Sequence, residues 1–128
     1  MTESLKPQET NLVLTAPDVR RILDEVDSSN LKTTLDTGAM AIAGEEPEDH
    51  FDLYGDTIIH CHFVDAVPRS VSHLAWGDGE LPMEKYLHYM DGQGFNGLLT
   101  LEMTAGRYGL NPKLALEQSV SLLKAVLE

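Results

Sequence analysis

Residues 58–65 read IIHCHFVD, and the fold follows from how these eight side chains alternate. A β-branched, apolar run of this length reads as a strand. Side chains in a strand point to opposite faces in turn. His60 and His62 therefore share one face with Ile58 and Val64, while Ile59, Cys61 and Phe63 share the other. The apolar face calls for helices to cover it. The face with two imidazoles calls for a polar interior.

Two further stretches carry the same signature. LKTTLD, 31–36, sets Leu31, Thr33 and Leu35 against Lys32, Thr34 and Asp36. GLLTLE, 97–102, sets Leu99 and Leu101 against Leu98, Thr100 and Glu102. In all three the polar face ends in an ionisable group.

The segments between them have helical periods. In 15–27, Thr15 can cap, Pro17 and Asp18 suit a first turn, and Val19, Ile22, Leu23 and Val26 form a stripe. Ser28, Ser29 and Asn30 stop it. Residues 36–49 read as a loop running into a short helix at 47–54, which Gly55 ends. A long loop, 65–81, holds Pro68, His73, Trp76, Gly77 and Gly79. A helix follows over 82–94 with Met83, Leu87 and Met90 inward, and Pro112 opens the last helix. Its candidate core residues are Leu114, Leu116, Val120, Leu123 and Val126. Strands alternating with helices predict an α/β fold with a parallel sheet and crossover connections.

The bulk numbers bound the function. A chain of 128 residues with 42% hydrophobic content suits one domain, residues 1–128. A formal charge of −12 repels phosphate backbones and anionic lipid, which argues against nucleic-acid and membrane partners. One cysteine, Cys61, leaves no internal disulfide framework. No apolar run approaches the ~20 residues of a spanning helix, and no leader is evident, so a cytoplasmic location is expected.

Asp36, His62 and Glu102 fall at or near the C-terminal ends of their strands, the edge where α/β sheets place chemistry. Two carboxylates and one imidazole suit Mn²⁺, Mg²⁺ or Co²⁺, and Zn²⁺ less exclusively. The plainer alternative makes His60 and His62 hydrogen-bonded core residues and Asp36 a helix cap.

The ordered strings LDTGAM, HCHFVD, SHLAWGDGELPMEKYL and GFNGLLTLEM resemble the sugar isomerase/epimerase superfamily, with its xylose-isomerase-like TIM barrel. The likeness is strongest to the branch of D-tagatose/D-psicose 3-epimerases and fructoselysine 3-epimerase. It covers nearly the whole chain, as the C-terminal half of a (β/α)₈ barrel from the end of strand five to helix eight. TESLKPQETNLVLTAPDV is similar to the family stretch in which a metal-binding glutamate ends strand five, with Ser4 where a proline often follows it.

The resemblance implies a metal, Mn²⁺ foremost, held by Glu3, Asp36, His62 and Glu102. It implies that Glu3 and Glu102 move the proton in a ketose epimerisation through an enediolate, and that Glu9 and His73 contact the substrate. Two positions depart from the family pattern. Ala39 stands where a histidine usually follows the metal aspartate, and Pro68 stands where some epimerases carry an arginine. Both departures bear on turnover more than on metal binding.

A half-barrel has a further consequence. A (β/α)₈ barrel takes about 250 residues, and a three-stranded sheet with two bare edges needs a partner. The expected partners are a sugar or sugar derivative, together with a second copy of the chain or a complementing N-terminal half-barrel. Self-association is the favoured arrangement. Two functional readings follow: a metal-dependent ketose epimerase or isomerase active in an assembled barrel, and a non-catalytic remnant or subunit that keeps the metal cluster. An endonuclease IV-type nuclease, which shares the barrel, is disfavoured by the charge, by Ala39, and by Ser72 where an aspartate would precede His73.

Overall fold

In the computed structural model, described for the backbone of residues 3–5 and for residues 12–128, four parallel strands lie side by side in chain order. They are β1 (Glu3–Leu5), β2 (Leu31–Asp36), β3 (Ile58–His62) and β4 (Leu98–Thr100). Helices α1 (Ala16–Val26), α2 (Thr37–Ala43), α3 (Pro47–Tyr54), α4 (Met83–Gly92), α5 (Ala105–Tyr108) and α6 (Pro112–Leu127) run between and after them. The sheet has four strands rather than the three expected, because residues 3–5 pair with the start of β2. Sequential order and parallel sense are the arrangement of neighbouring barrel staves.

Local chemistry explains the helix starts. Thr15 and Asp18 form a reciprocal capping box: the Asp18 amide donates to Thr15 Oγ1 at 3.3 Å and the Thr15 amide donates to Asp18 Oδ2 at 3.0 Å. The Thr15 bonds hold the Asp18 carboxyl below its ordinary value. Ala16, Val19 and Leu23 are buried on one side of α1. They pack with Leu35, Cys61 and Phe63 from the sheet and with Met83, Tyr86, Leu87 and Met90 from α4. Each fully buried aliphatic of this kind contributes about 1.5–3 kcal/mol. Cys61 is wholly buried, and burial pushes its thiol pKa up.

Three expectations need correction. Residues 37–43 form α2, not loop, because the Asp36 carboxylate caps it: the Ala39 amide donates to Asp36 Oδ1 at 2.8 Å. Ile58 is buried and Ile59 is 43% exposed, the reverse of simple alternation. The cause is a register shift: Thr33 pairs with Ile58 while Thr34 pairs with His60, so Ile59 is an extra residue. Beyond it the expected alternation holds.

The third correction concerns α6, whose inward face is Ala115 and Ser119 with Leu123 and Val126 against the core. Leu114, Leu116 and Val120 face outward. Polar anchors choose that face: the Trp76 amide donates to Ser119 Oγ at 3.0 Å, and Gln118 Nε2 donates to the Trp76 carbonyl at 2.7 Å. No helix among the described residues is long and apolar enough to cross a membrane.

Candidate metal centre

The tips of β2, β3 and β4 converge on one point. In register, Asp36 pairs with His62 and His62 with Thr100, which puts Glu102 just beyond the end of β4. His62 Nδ1 lies 2.8 Å from Glu102 Oε2 and 3.4 Å from Asp36 Oδ2. Carboxylates only accept, so Nδ1 carries the proton and donates to Glu102. One ligand-type atom from each of Asp36, His62 and Glu102 lies within 4.8 Å of the others. Three ligand-type atoms this close can share a divalent cation once the proton on His62 Nδ1 is released. Asp36 is fully buried, His62 is mostly buried and Glu102 is half open to solvent. The centre is therefore open on the Glu102 side.

One layer deeper, His60 Nε2 is 2.6 Å from Thr100 Oγ1, and its ring meets that of His62 edge-on at 4.9 Å. It supports the site rather than joining it. Thr37 ties the β2 tip to β3: its hydroxyl donates to the Val64 carbonyl at 2.6 Å and accepts from the Val64 amide at 2.9 Å.

The long loop between β3 and α4 is built around Asp65. Its carboxylate accepts from the amides of Ala66, Gly77, Gly79 and Leu81 at 2.8–3.1 Å. The Asp65 and Leu74 backbones also exchange a pair of hydrogen bonds. This brings the neighbouring residue, His73, over the site, with Nε2 at 3.4 Å from Asp36 Oδ1. Sequence reasoning gave Asp65 no role. An aspartate followed by a run containing Gly77 and Gly79 was the available signal, since Gly79 lies where a side chain would meet Asp65 Oδ1 at 2.4 Å.

The other expected site residues fare differently. Glu3 pairs with Leu31, at the opposite end of β2 from Asp36. Leu31 and Asp36 are five residue steps apart, about 16 Å, so the β1 backbone does not bring Glu3 to the cluster. Glu9 lies outside the described residues. Ala39, where the resemblance looks for histidine, is buried in the first turn of α2, with its amide held by Asp36.

The sequence matches the family described as "Xylose isomerase-like TIM barrel" over residues 1–126. The chain belongs to that family. Fructoselysine 3-epimerase of Escherichia coli O157:H7 is 31% identical over 125 residues, covering 98% of this chain and 45% of that protein. Inosose dehydratase of Lacticaseibacillus casei is 24% identical over 117 residues, covering 78% of this chain and 39% of that protein. Among solved structures, apo 3-keto-D-glucoside 4-epimerase from E. coli superposes with a TM-score of 0.80 at 19% identity, covering 98% of this chain and 46% of that one. The chain thus spans somewhat less than half the length of these curated relatives, as the half-barrel reading expected.

Proposed function

We propose that this chain supplies the ligand-bearing half of a divalent-cation-dependent sugar epimerase that works by proton transfer next to a carbonyl. The observation that carries the reading is the meeting of Asp36, His62 and Glu102 at the C-terminal edge of a parallel sheet. Mn²⁺ is the cation of choice, with Mg²⁺, Co²⁺ and Zn²⁺ as competitors, because two carboxylates and one imidazole form a mainly hard donor set. Bound there, a cation supplies positive charge where oxyanion character develops on the substrate.

The chain's own residues do the rest. Glu102 is the proton-transfer carboxylate: it stands at the open side of the cluster, beside His62 at the end of the neighbouring strand. Asp36 is buried and capped onto α2, so it holds position. The ketose is expected on the Glu102 side, and the likeness to fructoselysine 3-epimerase favours a ketose or its amino-acid conjugate as substrate class. A cytoplasmic setting goes with this reading.

The barrel is completed in this proposal by a second half, of which a second copy of the chain is the favoured version and a separate N-terminal half the other. Leu98 on the edge strand is 75% exposed and Leu114 on α6 is 62% exposed, apolar side chains that such a partner would cover. The second reading, a non-catalytic subunit that keeps the cation cluster, is favoured by Ala39.

Calorimetric titration with Mn²⁺, then proton–deuterium exchange into a panel of ketoses including fructoselysine, separates the readings. Binding with exchange supports the epimerase. Binding without exchange assigns the subunit role, and absence of binding removes both.

A further inference from the structure

We propose that His73 is a positioning residue that acts through Asp36, in a cradle that Gly38 keeps open. The two carboxylate oxygens of Asp36 face different partners. Oδ2 looks toward His62. Oδ1 takes the Ala39 amide and has His73 Nε2 beside it at 3.4 Å. Nε2 is buried and makes no hydrogen bond among the described residues, and a shift of a few tenths of an ångström gives it one to Oδ1. Nε2–H against Oδ1 fixes the carboxylate's rotation and keeps Oδ2 aimed at the cluster. Donors of this kind behind a ligating carboxylate orient it and raise its affinity for a cation.

The position of His73 is itself built. A Cβ on Gly38 would stand 2.1 Å from His73 Cδ2, 2.5 Å from Nε2 and 3.1 Å from the Ser72 carbonyl. Only glycine leaves room for the imidazole on the first turn of α2. Two backbone ties hold the loop from the other side. The Thr104 amide donates to the His73 carbonyl at 2.8 Å, and Leu74 exchanges hydrogen bonds with Asp65. His73 is therefore joined to segments that follow β3 and β4 and bears on the ligand that ends β2. Its imidazole lies against Asp36, although the family resemblance pointed to a substrate contact.

This inference rests on the proposed cation site, and its test separates the two. Free Mn²⁺ is followed by electron paramagnetic resonance during titration of the full chain. His73→Ala is expected to weaken Mn²⁺ binding by roughly ten- to a hundred-fold. His73→Gln, which keeps a donor, recovers most of that loss. Gly38→Ala, which touches no ligand, weakens binding to a similar extent and adds little on top of His73→Ala. Affinity within twofold of wild type for His73→Ala overturns the proposal, and a raised KM for a ketose in that variant would assign His73 to the substrate.

If wild type binds no Mn²⁺, the cation reading falls, and the pairing is judged on the metal-free chain. A double-mutant cycle of Asp36→Asn and His73→Gln on urea unfolding then decides. Coupling between the two supports the positioning contact, and additive effects overturn it.

Discussion

At the scale of single residues, Asp36 and Asp65 show two uses of a buried carboxylate. Asp36 spends one oxygen on the first turn of α2 and turns the other toward His62. Asp65 spends both on backbone amides of one loop. Bonds to an ionised acceptor are worth about 1.5–3 kcal/mol each, and unpaired buried amides cost more than the lost bond. Asp65→Asn keeps one acceptor oxygen and is expected to lose about 2–4 kcal/mol by urea unfolding. If it loses less than 1 kcal/mol, the loop does not depend on that carboxylate. Glu3 gives the opposite expectation. With β1 in its register, Glu3→Gln leaves Mn²⁺ affinity within twofold of wild type by calorimetry. A tenfold loss would mean that β1 binds β2 in another register when the cation is present.

Elements repeat the lesson with more parts. β2 and α3 fall at the expected residues, 31–36 and 47–54, because alternation and a proline start are local signals. α2 was unreadable: TGAMAIA holds a glycine and two β-branched residues, and its stability comes from the Asp36 cap and from burial of Met40 and Ala41. The Ile59 insertion was hidden because it depends on what β2 offers opposite it. Likewise, α6 has apolar residues all round, so only the Trp76 anchors decide which face turns in. The cluster of Asp36, His62 and Glu102 was legible because strand period and strand end suffice to place it. Where the Glu3 backbone lies is a different matter, since it depends on the pairing register of β1.

α3 also carries a pH response. His50 is buried, bonded through Nδ1 to the Tyr54 hydroxyl, with Nε2 3.5 Å from Glu45 Oε1. Burial pushes its pKa down from 6.5 to about 4, with the Asp49 charge opposing. Between those values the unfolded chain takes up a proton that the folded chain refuses, so stability falls as pH drops from about 6.5 toward 4. Burial raises the Glu45 carboxyl, which works in the other direction near the acid end. His50→Gln should flatten the fall of Tm between pH 7 and pH 4.5. An unchanged slope would show that His50 is not its source.

The whole molecule is an open stack with one finished face and one unfinished one. Helices close the apolar side of the sheet, while the side with His60, His62 and Glu102 meets solvent beside an edge strand. Barrel closure is expected to cover β4 and the outer stripe of α6. Light scattering at micromolar concentration should report a dimer for the chain alone. The pair Leu98→Glu and Leu114→Glu should return it to a monomer with Tm nearly unchanged, because both residues are exposed within one copy. A monomeric wild type would reject self-association and leave a separate half-barrel or an open fold that stands alone.

Cys61 turns the sheet into its own gauge. The chain's single sulfhydryl sits on the strand face opposite His60 and His62, sealed from water and held in its unreactive protonated form. A disulfide reagent added to the native protein can react only when the strands part. The labelling rate, taken with and without Mn²⁺, therefore reads how often the sheet opens and how far a bound ion keeps it shut, with no probe to engineer.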